Sequence, residues 1–150
     1  MHRLNTSLAT LLIVLAFFGA PAYACGAFSP LKLEGIKKAS IVALGRISNY
    51  SPIFYSGGAA EQTDRAEFDL QIDQIYVGQV PKNIHVYWNT PTIALPTAMP
   101  PGPYLVALHH RAARSPEPEI FFVVIQPCSG SFIFGSPSND AEKALALLQK

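Results

Sequence analysis

AEFDLQIDQIYVG, residues Ala66 to Gly78, alternates in side-chain character with a period of two. Ala66, Phe68, Leu70 and Ile72 are apolar; Glu67, Asp69, Gln71 and Asp73 between them are polar or charged. Neighbours on a strand point to opposite faces, so this spacing predicts a strand with one face in a core and the other in water. The alternation fails at Gln74, and Ile75 and Val77 resume it one position out of step. An extra residue in a strand is a β-bulge, which bends the strand and tightens its twist. Gly78 ends the segment.

Upstream, Ile41-Val42-Ala43-Leu44-Gly45-Arg46-Ile47 predicts another strand. Its first half is apolar on both faces, as in a central strand, and Gly45 marks a second bend or bulge. Ser51 to Asp64 reads as a loop with Ser56-Gly57-Gly58 at its tip. Downstream, Ile84, Val86 and Trp88 alternate with His85, Tyr87 and Asn89, giving a third strand. Pro91 to Pro103 holds five prolines, and proline cannot donate to a ladder, so a stiff irregular loop is expected. Tyr104 to His109 is a fourth strand. Arg111 to Pro118 is a polar connection, and Ile120 to Ile125 is a fifth, fully apolar strand.

The flanks read as helical. Ser29-Pro30 predicts the start of a short helix, with Ser as cap and Pro in the first turn, and Leu31, Leu33 and Ile36 on one side. A short apolar piece, Phe132 to Phe134, precedes a terminal helix. Asn139 and Glu142 are expected to cap that helix, and Ala141, Leu145 and Leu148 to share its apolar face beside Ala144. Five strands with two bends predict a mainly β protein: a five-stranded closed barrel of the OB type, with a short N-terminal helical turn and a C-terminal helix. A β-sandwich is the second choice, but sandwiches usually need about seven strands.

The first 24 residues have a different character. His2 and Arg3 give a basic start, Leu8 to Ala20 is almost wholly apolar, and Pro21-Ala22-Tyr23-Ala24 follows. A basic start, an apolar middle and an A-x-A end predict a secretory signal peptide over residues 1–24, cleaved between Ala24 and Cys25. The apolar run is shorter than the about 20 residues a spanning helix needs, so no membrane span is expected. Lipidation at Cys25 is the less favoured alternative, because lipobox sequences prefer Leu near the position held by Ala22. The predicted location is secreted or periplasmic, which is oxidising. Cys25 and Cys128 are the two cysteines and allow one intramolecular disulfide. It would close a loop of about 100 residues, for which the chain-entropy model gives roughly 4.7 kcal/mol as an upper guide.

Residues 25–150 suit a single domain. Losing residues 1–24 removes Arg3, which leaves basic and acidic residues equal in number. A neutral balance gives no electrostatic argument for nucleic acid or an anionic membrane. Tyr87, Trp88 and Tyr104 are of a type that stacks on bases, but with export and neutral charge no nucleic-acid partner is expected. No G-x-S-x-G, H-E-x-x-H or phosphate loop is found. His109 and His110, adjacent on a strand, point to opposite faces and do not share one metal. His85 faces away from Trp88. Asp69 and Asp73 share a face that is read as solvated rather than as paired catalytic carboxylates. Cys128 with His109 is weighed as a thiol nucleophile and set below the disulfide. No catalytic residue and no cofactor is expected.

Several stretches carry a family resemblance. They are the cysteine after the cleavage site, the A-x-I-V-x-x-G-x-I run from Ala39 to Ile47, and the F-x-L…I-Y-V-G run from Phe68 to Gly78. Gly102, Tyr104, Leu105 and Val106 form G-x-Y-L-V, and Cys128-Ser129-Gly130 stands before the terminal helix. In this order they resemble the TIMP-like, netrin-module group, secreted OB-fold domains related to the tissue inhibitors of metalloproteinases. The resemblance implies that the free α-amine and backbone carbonyl of mature Cys25 ligate the zinc of a target protease, while its side chain stays in a disulfide. An α-amino group titrates near 7.7–8.0, and its lone pair can take the open position of a catalytic zinc. Gly26, Ala27 and Phe28 would follow along the substrate cleft.

The sequence departs from the family at Ala27, where the inhibitors have a second cysteine, and at Gly26, where they carry a side chain for the specificity pocket. A Leu-sized side chain there would contribute about 1.5–3 kcal/mol. For Gly26-Ala27-Phe28 a flexible lead into the barrel is preferred to a cleft insert, and Phe28 is expected in the core. The resulting expectation is an exported, non-enzymatic protein-binding domain, with metalloprotease inhibition through Cys25 as its sharp form. A structural or envelope-interaction module without metal contact is the alternative.

Overall fold

The computed structural model describes Cys25 and residues 27–54, 63–91, 93–113 and 119–149. The predicted signal peptide, Gly26 and the tip Ser56-Gly57-Gly58 lie outside the described residues. In chain order the structure has a 3-10 turn at Leu33–Lys38, then β1 (Ile41–Ile53), β2 (Arg65–Val77), β3 (Asn83–Asn89), β4 (Pro103–Arg111) and β5 (Ile120–Val123). Two short strands, β6 (Ile125–Gln126) and β7 (Gly130–Ser131), form a hairpin; β8 (Ile133–Gly135) and the helix α1 (Asn139–Leu148) follow.

The strands pair in the order β1-β2-β3-β5-β4, and β1 also pairs with β4. That second pairing closes the sheet into the five-stranded OB-type barrel. β3 and β5 run parallel; the other barrel pairs are antiparallel. β8 extends the β5 side of β4, opposite Tyr104 to Val106.

Closure requires β1 and β2 to coil, and three irregularities supply the bend. Leu44 pairs with Gln74 but Gly45 pairs with Ile72, so Asp73 is extra; Val42 pairs with Val77 but Ala43 with Ile75, so Tyr76 is extra. The single predicted bulge near Gln74 is therefore two bulges flanking it. The third lies in β1, between Ser48 and Ser51, where Asn49 has φ 53°. At Gly45 a Cβ would overlap the carbonyl oxygen of Gln71. Only glycine lets β1 approach β2 there while it also pairs with Tyr104 of β4.

Alternation then sorts the side chains into two cores. Ile41, Phe68, Leu70, Val86, Val106 and Leu108 point into the barrel with Trp88 and Phe121. The other face of β1 and β4, with Val42, Leu105 and Ala107, packs against Ile36, Phe132, Ala141 and Ala144. The 3-10 turn and α1 thus cover one outer wall. The proline-rich loop folds against the barrel: Leu95 is buried, Tyr50 Oη donates to Pro96 O at 2.6 Å and Tyr104 Oη to Pro100 O at 2.5 Å. Burial raises both tyrosine pKa values.

Several boundaries differ from expectation. β1 runs to Ile53, into the segment read as loop. The fifth strand breaks at Val124, whose N–H turns to Ala107 O and whose carbonyl accepts from Phe132 N. The N-terminal turn begins at Leu33, not at Ser29-Pro30, because the N–H and hydroxyl of Ser29 are engaged by the hairpin region across the molecule. α1 is capped one residue earlier than expected: Ser138 Oγ accepts from Ala141 N at 3.2 Å.

Candidate functional site

Cys25 and Cys128 are joined, with Cα atoms 5.6 Å apart. Cys128 sits in the β6–β7 turn at φ 60° and Gly130 follows at φ 157°, so the turn is tight and projects its cysteine toward the N-terminal segment. A second fastening lies just beyond. Ser29 N–H donates to Cys128 O at 3.0 Å, and the hydroxyls of Ser29 and Ser129 meet at 2.7 Å. Lys32 N–H donates to Gln126 Oε1 at 2.9 Å. The segment from Cys25 to Lys32 is thus held at both ends against one hairpin. The hairpin is tied to the barrel in turn: Trp88 Nε1–H donates to Ser131 Oγ at 2.7 Å.

Between those fastenings the described residues face solvent. Ala27 is exposed, and Phe28 is 70 % exposed. The expectation that Phe28 belongs to the core is therefore wrong. The hydrogen bonds at Ser29 hold this stretch along the hairpin, and the second core is already filled by Phe132 and the α1 alanines. Of the residues assigned to a protease contact, half-buried Cys25 and exposed Ala27 and Phe28 form one ridge; Gly26 lies outside the described residues.

A second polar cluster occupies the outer face of β2 and β3. His85 Nδ1 lies 2.8 Å from Asp69 Oδ1, and its Nε2 lies 3.4 Å from Glu67 Oε2. Asn49, at the β1 bulge, donates from Nδ2 to Asp69 Oδ2 at 2.7 Å. The Asn49 bond, followed by the His85 bond, holds the Asp69 carboxyl below its usual range. The hydrogen bond to Asp69 raises the His85 imidazole, with Glu67 adding and burial opposing. Asp73 instead approaches Arg46 at 3.5 Å. The two aspartates read as sharing a face thus have separate partners, and neither pairs with the other. Sequence reading missed this cluster. The β2–β3 register, which sets Asp69 opposite His85, is the signal that finds it.

The other histidines lie elsewhere. His109 is on the outer face of β4, while His110 pairs with Glu119 and stacks on buried Phe121, 5.2 Å between centroids. Both cysteines are in the disulfide, so Cys128 is no thiol nucleophile. Trp88 and Tyr104 are buried, and of the three aromatics considered for stacking only Tyr87 is exposed. Among the described residues no group of three or more His, Cys, Asp or Glu is placed to hold a metal ion. No described helix is long and apolar enough to cross a membrane.

The fold and this geometry define an OB-type barrel with a disulfide-tethered, solvent-facing N-terminal ridge. Compared with known proteins, the chain matches no family model and no curated sequence.

Proposed function

We propose that the protein is an exported, non-enzymatic binding domain that engages another protein through the ridge at Cys25, Ala27 and Phe28. The observation that carries this is a 70 % exposed phenylalanine next to a chain segment fastened on both sides. A large aromatic held in water by covalent and hydrogen-bonded anchors loses little conformational freedom when a partner covers it, so its burial goes mostly into affinity. The disulfide is consistent with an oxidising, extracellular or periplasmic location.

In its sharpest form the partner is a zinc metalloprotease. Cleavage at Ala24-Cys25 frees the Cys25 amine, and amine and carbonyl oxygen together ligate the target's zinc in place of its water. The support is the order of motifs shared with the TIMP-like group and the tether that keeps Cys25 from fraying. The test extends the exported protein by one alanine ahead of Cys25. Inhibition of a responsive zinc endopeptidase should fall at least 100-fold while the thermal unfolding midpoint stays put. Equal inhibition by both forms rejects chelation.

A second reading, an interaction module without metal contact, is favoured by Gly26, which offers no side chain to a specificity pocket. It is supported if the unextended protein inhibits none of a broad panel of zinc endopeptidases yet co-purifies with a non-protease partner that Phe28→Ala releases.

A further inference from the structure

Beside the ridge, between the 3-10 turn and the strands, lies a pocket of about 550 Å³, within the range of small-molecule sites. Its accessible apolar surface comes from half-buried Ile125 and exposed Pro127, with Val124 and Phe132 buried behind them; Gly35 packs directly on the Phe132 ring, where a Cβ would sit 2.7 Å away. Phe132 is 1 % exposed and anchored in the second core, so it backs the pocket as a fixed wall and does not itself face a ligand. The charged lining is Lys32 and Lys38 with Glu34, two cations to one anion, and the His109 ring is a further hydrogen-bonding group. Neither lysine is in an ion pair among the described residues. The Gln126 Oε1 is already occupied by the Lys32 N–H, which leaves the lysines, Glu34 and His109 as the charged and ring groups facing a ligand.

Two lysines outnumbering one carboxylate beside an apolar surface suit a molecule with an apolar body and one negative end. A neutral molecule would leave the lysines unused, and a cation would meet two lysines for the one carboxylate of Glu34. We propose that this pocket binds a small amphipathic carboxylate, with its apolar body on Ile125 and Pro127 and its carboxylate toward Lys32, Lys38 and His109. The site is separate from the contact surface of Phe28, although Pro127 and Gln126 belong to the hairpin that holds that ridge.

The probes are octanoate, 1-octanol and octylammonium, titrated into isotopically labelled protein with its disulfide intact and followed by backbone amide shifts. Octanoate should shift Gly35, His109, Gln126 and Phe132 saturably, and bind at least tenfold tighter than either analogue. The exposed double substitution Lys32→Glu with Lys38→Glu should weaken octanoate at least tenfold and leave the unfolding midpoint unchanged. Equal binding of the three probes, shifts scattered away from the pocket, no saturation below the solubility limit, or undiminished binding by the double variant each overturn the proposal.

Discussion

Gly45 carries the barrel at the scale of one residue. It pairs with Ile72 on one side and Tyr104 on the other, at the point where β1 leaves one register with β2 and enters the next. The space a methyl would need is held by the backbone oxygen of Gln71, with Leu70 Cδ1 at 3.1 Å. A flexible side chain can move aside; a strand inside a closed barrel cannot move alone. Gly45→Ala is therefore expected to lose about 2–3 kcal/mol, at the upper end of overpacking costs, with the loss read from urea unfolding. A loss below about 0.5 kcal/mol, within the usual surface range, would mean that β1 and β2 have room to separate. Phe28 gives the opposite lesson. Hydrophobicity predicts what is inside only in one direction, because apolar atoms also make up much of any protein surface. Nothing in the sequence around Phe28 distinguishes a core phenylalanine from an exposed one; the distinction comes from Ser29, whose bonds to Cys128 and Ser129 fix the path of the chain.

At the scale of elements, β2 and β3 meet outside the barrel through His85, Asp69 and Glu67, and their charges make the contact depend on pH. The His85 pKa is raised in the folded protein, so its stabilisation is complete below the unfolded value near 6.5 and fades as pH rises through the folded value. The Asp69 pKa is lowered, so its contribution is present above the ordinary 3.8 and fades as pH falls through the folded value. The two overlap between about pH 4 and 6.5. Both side chains are 45 % exposed, which keeps the effect within about 1 kcal/mol. His85→Ala should cost most stability near pH 5.5, and less at pH 3 and pH 8.5. A difference in urea midpoint that is flat across those three pH values would remove the electrostatic explanation. The elements themselves were legible wherever one face is buried and the other wet, as in Ala66 to Ile72 and Ile84 to Asn89. Legibility failed where that contrast is missing. The second half of β1, Ser48 to Ile53, is mostly polar and carries the Asn49 bulge, so the expected strand stops at Ile47 and Ser51 onward reads as loop, although the segment pairs with β2. β6 and β7 have two residues each, too few for any period to register.

For the whole molecule, the question is how much depends on the bond between Cys25 and Cys128. The bond spans 103 positions, yet neither cysteine belongs to either core. Barrel closure rests on the β1–β4 pairing, and the outer wall on α1 and the 3-10 turn. A domain of this size buries enough surface to fold without a staple. The disulfide therefore acts on the unfolded chain and on the local order of the ridge rather than on the native packing. Reduction should lower stability by about 2–4 kcal/mol and leave the fold in place in the absence of denaturant. Trp88, the only tryptophan, is buried in the barrel and bonded to Ser131 near the hairpin, so its fluorescence reports both regions. The emission should be unchanged when the bond is reduced in water, while the urea midpoint falls. The ridge responds differently: amide exchange at Ala27 and Phe28 should speed up on reduction, while Ile41 and Leu105 in the barrel strands stay protected. If reduction alone shifts the Trp88 emission to that of the unfolded chain, the bond is needed for folding itself, and the ridge is not a separable attachment to a barrel that stands without it.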